Sequence, residues 1–198
     1  MAINLSKGQK VNVGDTNITI GLGWDLSQGT LKFDLDASAF ILGEDGKLLS
    51  DEHFVFYNNK KSPCGGVIHS GDNRTGEGDG DDETITIDIN KLNPSATEII
   101  FTVTICEEMS ENHNANLGQV KNSYIRAVNS LNGEEILKFE LDEEFSVDKS
   151  LEIGRLYKKN DVWKFDAIGM GYRENLGFFV SKYSQSPPPE GRGLSREA

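Results

Sequence analysis

A short acidic, glycine-rich segment is the part of the sequence with the clearest chemical potential. Residues 71–83 contain six carboxylates, one arginine and four glycines. Carboxylates held this close repel one another and raise each other's affinity for protons. Glycine lets backbone carbonyls turn toward a common centre, and Ca²⁺ takes about six to eight oxygen ligands in a loose geometry. The segment therefore predicts a Ca²⁺ site, with Mg²⁺ a weaker candidate because it requires a stricter octahedron.

The spacing of the acidic residues excludes an EF-hand loop. A loop that begins at Asp72 has Arg74 at its third position, where the pattern requires an acid or amide. A loop that begins at Asp79 has Thr84 at its sixth position, where the pattern requires glycine. Any cation site here must be built on strand ends and loops. The alternative is a solvated acidic loop without a ligand.

A second acidic pattern is Asp34-Leu35-Asp36. On a strand these two aspartates share one face, with Cα atoms about 6.5–7 Å apart, so their carboxylates can converge on one cation. Asp25, after Trp24, could join them across a sheet. The alternative is the polar face of a strand that meets water. Two acidic clusters in one chain reinforce each other, because a multi-carboxylate site needs ligands from more than one segment.

Charge and composition exclude several functions. Lys and Arg number 20 and Asp and Glu 32, which gives a net charge of −12. Direct binding of nucleic acid is not expected, because it needs clustered cations. The sequence contains no GxSxG, HExxH or CxxC motif, and Cys64 and Cys106 are expected to be free thiols. No enzymatic activity and no small-molecule substrate are predicted.

The elements that must position these residues are short strands. Turn residues recur at short intervals, and Asn132-Gly133 is the strongest hairpin signal. From residue 118 to 130 an amphipathic helix competes with a strand from Tyr124, and the strand is favoured. Many short strands between turns predict a mainly β protein, an antiparallel β-sandwich with few short helices. Alternating segments predict strands over 31–37, 53–57, 84–89, 99–105, 124–128, 135–141 and 163–168.

The chain divides into one domain and a tail. No long linker occurs before residue 183, so residues 1–183 are predicted to form a single domain. Residues 184–198 contain three consecutive prolines and two aliphatic residues, and are predicted to be a flexible tail, native or added for expression. The start of the chain has no basic stretch followed by an apolar run, so a cytoplasmic protein without a secretory signal is expected.

These residues also resemble a known family, the TerD family of tellurium-resistance and stress-response proteins. The resemblance runs from about residue 5 to 176, and the string GDNRTGEGDGDDE is highly specific. The segments that carry it are Gly23–Asp25, Phe33–Phe40, Phe54–Asn59, His69–Glu83, Trp163–Phe165 and Ala167–Tyr172.

The resemblance implies a β-sandwich that binds Ca²⁺, two ions being expected, in the bacterial cytoplasm. It implies a role in resistance to tellurite and other stresses, with other stress-response or Ter-type proteins as partners, some of them at the membrane. The family has no established enzymatic activity. The implied metal ligands are Asp25, Asp34, Asp36, Asp72, Asn73, Glu77, Asp79, Asp81, Asp82 and Glu83.

Three functions remain open at this point. The first is a non-enzymatic Ca²⁺-binding module that docks partner proteins. The second is a metal-dependent phosphoesterase, for which the sequence supplies carboxylates but no evident general base. The third is a module that approaches anionic lipid when bound Ca²⁺ neutralises its acidic loop.

Overall fold

A computed structural model describes residues 6–13, 17–25, 33–73, 80–106 and 115–185 of the chain. These residues form mostly strands, with two short α-helices and three 3₁₀ turns at Asp51–His53, Ile89–Lys91 and Leu117–Gln119. The helices are α1 (Leu141–Glu144) and α2 (Leu176–Tyr183). The strands are β1 (Lys10–Asn12), β2 (Ile18–Gly23), β3 (Leu35–Leu42), β4 (Phe54–Val55), β5 (Val67–His69), β6 (Glu83–Ile87), β7 (Glu98–Ile105), β8 (Tyr124–Asn129), β9 (Glu135–Glu140), β10 (Ser150–Lys159) and β11 (Val162–Tyr172).

The strands form two sheets that pack face to face. Within the described ranges, sheet I has the strand order β1-β11-β10-β7-β3-β4 and sheet II the order β5-β6-β2-β8-β9. Every pairing between neighbouring strands is antiparallel. The prediction of a mainly β, antiparallel sandwich is confirmed.

Two tight turns account for the local hairpins. Gly133 has φ +68° and closes the β8–β9 hairpin, while Asn160 and Asp161 have φ +53° and +60° between β10 and β11. Paired positive φ values belong to the turn type that matches the twist of antiparallel strands. The competing helix before residue 130 does not form, because Tyr124–Asn129 pairs with β2 and β9.

The main core lies between the two sheets. Inward side chains such as Ile20, Ile85, Phe101 and Phe165 are completely buried there. Trp24 is also buried in this cluster. Burial of this apolar surface is the main favourable contribution to the fold.

A second, smaller core lies on the outer face of sheet I. Residues of β3, β4 and β7 contact helix α2 there. The Phe40 ring stacks on the Phe54 ring with 4.5 Å between their centres, and its centre lies 5.1 Å from that of the Tyr183 ring. Consequently every residue of β3 is buried, on both faces of the strand. The predicted strand over residues 31–37 is wrong in its bounds, since β3 begins at Leu35 and ends at Leu42.

Polar contacts hold α2 against the same sheet. Glu152 on β10 is buried and accepts hydrogen bonds from the hydroxyls of Tyr183 (2.5 Å) and Tyr172 (3.0 Å). It also forms an ion pair with Lys182. Burial and the Glu152 carboxylate raise the pKa of Tyr183 above its usual value. Burial lowers the pKa of Lys182, but the hydrogen bond and charge of Glu152 outweigh it and raise that pKa overall.

The predicted tail falls largely outside the described residues, which end at residue 185. Helix α2 ends at Tyr183, the last residue of the predicted domain. In the described part of the chain, no helix combines the length and apolar character needed to cross a membrane.

Candidate metal centre

Three carboxylates from separate segments converge at one end of the sandwich. Asp36 lies on β3 of sheet I, Glu83 begins β6 of sheet II, and Asp72 follows β5 of the same sheet. One carboxylate oxygen of each lies within 4.8 Å of the others. The packing of sheet I against sheet II therefore brings together three residues that are up to 47 positions apart in sequence. These three residues are called the carboxylate cluster below.

Glu83 is the most deeply placed member of the carboxylate cluster. Its side chain is completely buried, and Oε2 accepts a hydrogen bond from the backbone N–H of Ala37 at 2.9 Å. The other oxygen, Oε1, accepts from the backbone N–H of Asn73 at 3.3 Å. Backbone donors stabilise a carboxylate charge without cancelling it. A buried anionic group of this kind is costly unless a cation balances it.

The Asp34 side chain extends the acidic surroundings of Asp36. Both are buried, with 1% and 3% of their surface exposed. This burial rules out the alternative in which they form a water-facing polar strand face. Oxygens of both carboxylates and the sulfur of Cys106 lie within 4.8 Å of one another. The backbone N–H of Cys106 also donates to the Asp34 carbonyl at 2.8 Å, which fixes the thiol beside the two acids.

Asp82 connects the acidic segment to β2. Its Oδ2 accepts from the backbone N–H of Trp24 and its Oδ1 from the side-chain amide of Asn73, both at 2.9 Å. Burial raises the pKa of Asp82, and the charges of Asp81 and Asp25 add to this, while the two hydrogen bonds oppose it. Asn73 therefore contacts Asp82 with its side chain and Glu83 with its backbone.

Asp81 is held by a basic partner instead. Its two oxygens accept hydrogen bonds from Nε and Nη2 of Arg126 at 2.9 and 3.0 Å, and the Tyr124 hydroxyl donates to it at 2.9 Å. Burial, followed by the hydrogen bond and charge of Asp81, raises the pKa of Tyr124 to about 12. The hydrogen bond that Arg126 donates to Asp81 also raises the pKa of Arg126. This bidentate pair anchors the acidic segment to the outer face of sheet II.

Gly21 makes the Asp81 contact possible. A Cβ atom at position 21 would overlap the Asp81 carboxylate. We expect Gly21→Ala to lower the free energy of unfolding by about 1–3 kcal/mol, because the carboxylate must move away from Arg126. Chemical denaturation measures this, with Gly177→Ala in α2 as the control, since a Cβ there meets only the Asn175 side chain at 3.2 Å. Equal stability of the two variants would contradict the proposed anchoring.

Asp25 lies in a separate cleft of about 450 Å³. Asn122, which has φ +50°, donates its side-chain amide to Asp25 and its backbone N–H to Asp142 at 3.0 Å. Two carboxylates are thus held beside each other by one asparagine. Tyr124 and Lys138 also line this cleft, and the Lys138 ammonium lies 4.4 Å from the centre of the Tyr124 ring.

The ten residues predicted from the sequence are distributed over these contacts. Asp36, Asp72 and Glu83 meet in the carboxylate cluster, with Asp34 beside Asp36. Asn73 donates a hydrogen bond to Asp82, which also accepts one from the backbone N–H of Trp24. Asp25 accepts a hydrogen bond from Asn122, and Asp81 accepts one from Arg126. Glu77 and Asp79 lie outside the described residues.

The ligand set predicted from the sequence left out three neighbours of these acids, namely His69, Cys106 and Arg126. Only His69 carried a sequence signal, since it stands three residues before Asp72. It is buried and hydrogen-bonded.

The carboxylate cluster fits a hard divalent cation. Two oxygens bound to one Ca²⁺ at about 2.3–2.6 Å lie at most about 5 Å apart. The 4.8 Å limit among the three carboxylates is compatible with a shared ion. Oxygen-only donors also suit Ca²⁺ better than the softer metals that select thiolate or imidazole.

Comparisons with known proteins identify the family. The TerD domain model matches residues 1–183, so the chain belongs to the TerD family and the resemblance found in the sequence is confirmed. The chain is 43% identical over 189 residues to a tellurium resistance protein TerD from Alcaligenes sp, covering 92% of this chain and 97% of that protein. It is 40% identical over 190 residues to general stress protein 16U of Bacillus subtilis, with the same coverage of both chains.

A solved structure shares the fold. A homologue of telluride resistance protein from Streptomyces coelicolor A3(2) superposes with a TM-score of 0.74 over 88% of this chain and 100% of that one. At 21% identity this similarity supports the β-sandwich architecture alone.

Proposed function

We propose that this protein is a non-enzymatic, cytoplasmic Ca²⁺-binding protein of the tellurium-resistance and stress-response type. The observation that carries the proposal is the convergence of Asp36, Asp72 and Glu83 within 4.8 Å, with Asp36 and Glu83 buried. Membership of the TerD family and the names of its relatives support the stress-response role. Asp34 beside Asp36 supplies a further carboxylate for a second ion.

The position of the carboxylate cluster suggests what a bound ion does. Asp36 belongs to sheet I, whereas Asp72 and Glu83 belong to sheet II or the segment that follows its edge strand. An ion bound by all three ties the two sheets together at this end of the sandwich. It also holds Asp72 and Glu83, near the two ends of the acidic segment, and we propose this segment as the surface that docks partner proteins of the stress response.

Calorimetric titration of the metal-free protein with Ca²⁺ tests this proposal. We expect binding by the wild type and at least a tenfold loss of affinity in Glu83→Gln, because the variant keeps the shape of the side chain but removes its charge. Asp161→Asn is the matched control, since the Asp161 side chain is 96% exposed at a turn. A wild type that takes up no Ca²⁺, or a Glu83→Gln variant with unchanged affinity, contradicts the proposed site.

Docking of partners should depend on the ion. We expect purified Ter-type partner proteins to bind the wild type more tightly in Ca²⁺ than in a Ca²⁺ chelator, and to lose that difference with Glu83→Gln. Turnover of generic phosphoesters by the Mn²⁺- or Mg²⁺-loaded protein would instead support a phosphoesterase. Co-sedimentation with anionic vesicles only in the presence of Ca²⁺ would support a membrane-surface module.

The link to tellurite is not expected to run through thiols. Cys64 follows Pro63 in a turn and Cys106 lies beside two buried carboxylates, whereas a reactive thiol typically lies beside Lys, Arg or a protonated His. We expect Cys64→Ser/Cys106→Ser to keep tellurite resistance in cells. Growth on tellurite measures this, and complete loss of resistance with the folded protein still present would contradict it.

A further inference from the structure

His69 is a buried histidine whose ring contacts residues in and next to the carboxylate cluster. Only 3% of its surface is exposed. Its Nδ1 accepts a hydrogen bond from the backbone N–H of Gly71 at 3.0 Å. The neutral ring must therefore carry its proton on Nε2, because a protonated Nδ1 could not accept. Nε2 lies 3.1 Å from the Ala37 carbonyl and 3.5 Å from Oε2 of Glu83.

These contacts reach all three members of the carboxylate cluster. Ala37 is the neighbour of Asp36 in β3, and Gly71 is the neighbour of Asp72 after β5. Glu83 faces the ring directly and also accepts the Ala37 N–H at 2.9 Å. One imidazole thus fixes the backbone beside two of the acids and faces the carboxylate of the third.

The same contacts exclude His69 as a ligand. The lone pair of Nδ1 is used by the Gly71 N–H, and Nε2 carries the proton. Neither nitrogen has a lone pair available for a metal, and Ca²⁺ prefers oxygen in any case. The ring can act on a cation only through the residues that it holds.

We propose that His69 is the positioning residue of the Ca²⁺ site, which sets the affinity of the carboxylate cluster without binding the ion. This inference rests on the proposed function. The groups next to metal ligands orient those ligands, and their loss typically weakens metal affinity by about 10- to 100-fold. Gly71 contributes to this arrangement, because its φ of +126° turns the N–H back toward the ring, a conformation that side chains other than glycine rarely adopt.

Calorimetric titration with Ca²⁺ of three variants tests the proposal. We expect His69→Ala to bind Ca²⁺ about 10- to 100-fold more weakly than the wild type. His69→Gln should recover part of the loss, because its amide can donate near the position of Nε2. His53→Ala is the control, since His53 is another buried histidine, whose Nδ1 lies 2.9 Å from the Ser50 hydroxyl. We expect it to lower the melting temperature while the Ca²⁺ affinity stays unchanged.

The outcomes separate this inference from the proposed function. If the wild type does not bind Ca²⁺, the proposed function fails. The role of His69 alone is overturned if the wild type binds Ca²⁺ and both His69→Ala and His69→Gln bind it as tightly as the wild type. It is also overturned if His53→Ala weakens Ca²⁺ binding as much as His69→Ala does.

A measurement on the wild type keeps the test valid if His69→Ala does not fold. Nitrogen chemical shifts of the imidazole ring should show the Nε2–H tautomer for His69 in the metal-free protein. Addition of Ca²⁺ should shift the Nε2–H resonance, because the ion would draw charge from the Glu83 carboxylate, whose Oε2 lies 3.5 Å from that nitrogen. A resonance of the other tautomer, or one that Ca²⁺ leaves unmoved, would overturn the proposal.

Discussion

Millimolar Ca²⁺ is expected to raise the melting temperature of the wild-type protein by about 5–10 °C. Without a cation, the buried carboxylates of Asp34, Asp36 and Glu83 repel one another. An ion that binds only the folded protein stabilises it by about 2.7 kcal/mol at a hundredfold excess over Kd. Mg²⁺ should raise the melting temperature less, because it requires a stricter octahedral geometry, whereas a site with many carboxylate oxygens suits the larger ion. Thermal unfolding with each ion, and with a chelator, measures the difference.

Neutralising two of the acids should separate repulsion from binding. In Asp34→Asn/Asp36→Asn we expect the metal-free melting temperature to stay level or rise, because a buried repulsion is removed. The increase caused by Ca²⁺ should shrink, because the site loses two charges. Asp51→Asn/Asp161→Asn removes the same charge from two exposed positions and should keep the full Ca²⁺ effect. A wild-type melting curve that millimolar Ca²⁺ leaves unmoved would mean that the carboxylate cluster holds no ion.

The β-sandwich could be predicted because the turn residues and the alternation of apolar residues that indicate its strands are local features of the sequence. In the β8–β9 hairpin, the connection that contains Asn132-Gly133 joins two strands, and the core residues Ile125 and Ala127 of one and Leu137 and Phe139 of the other lie two positions apart. In β6, Ile85 and Ile87 share one face, and both are buried in the core between the sheets. A period of two therefore predicts both the strand and the face that it buries.

The second core could not be predicted in the same way. The segment from Ala37 to Leu42 is buried on both faces because sheet II covers one side and α2 the other. Such a strand has no alternation to show where it begins or ends. Helix α2 has only eight residues, and its position depends on partners more than a hundred residues away, such as Phe40.

The candidate site likewise has a part that the local sequence predicts and a part that depends on contacts between distant segments. The composition of residues 71–83 indicates a cation site, but it does not say which carboxylates converge. Asp81 and Asp82 are neighbours in sequence, yet Asp81 pairs with Arg126, 45 residues away, while Asp82 caps the N–H of Trp24. These assignments depend on which strands become neighbours in the sheets. His69 acquires its contact with Ala37 in the same way, across 32 residues and between two sheets.

The largest loss of stability is expected from Phe179→Ala. The Phe179 ring is completely buried beneath α2 and contacts Tyr172 edge to face at 5.2 Å. Removing it leaves a cavity between the helix and sheet I, which should lower the free energy of unfolding by about 3–5 kcal/mol. For a chain of this size the melting temperature should fall by roughly 10 °C or more. Thermal and chemical denaturation of the metal-free protein measure both values.

Phe178→Ala is the matched control, because Phe178 is the neighbouring aromatic of the same helix and is only half-buried. We expect it to cost clearly less than Phe179→Ala. Both variants should keep the wild-type Ca²⁺ affinity, because α2 covers the outer face of sheet I while the carboxylate cluster joins the two sheets. Equal, small losses for both variants would show that α2 is not an integral layer of the domain. A Phe179→Ala variant that folds but no longer binds Ca²⁺ would show instead that this layer and the cation site are coupled through β3, the strand that carries both Asp36 and Phe40.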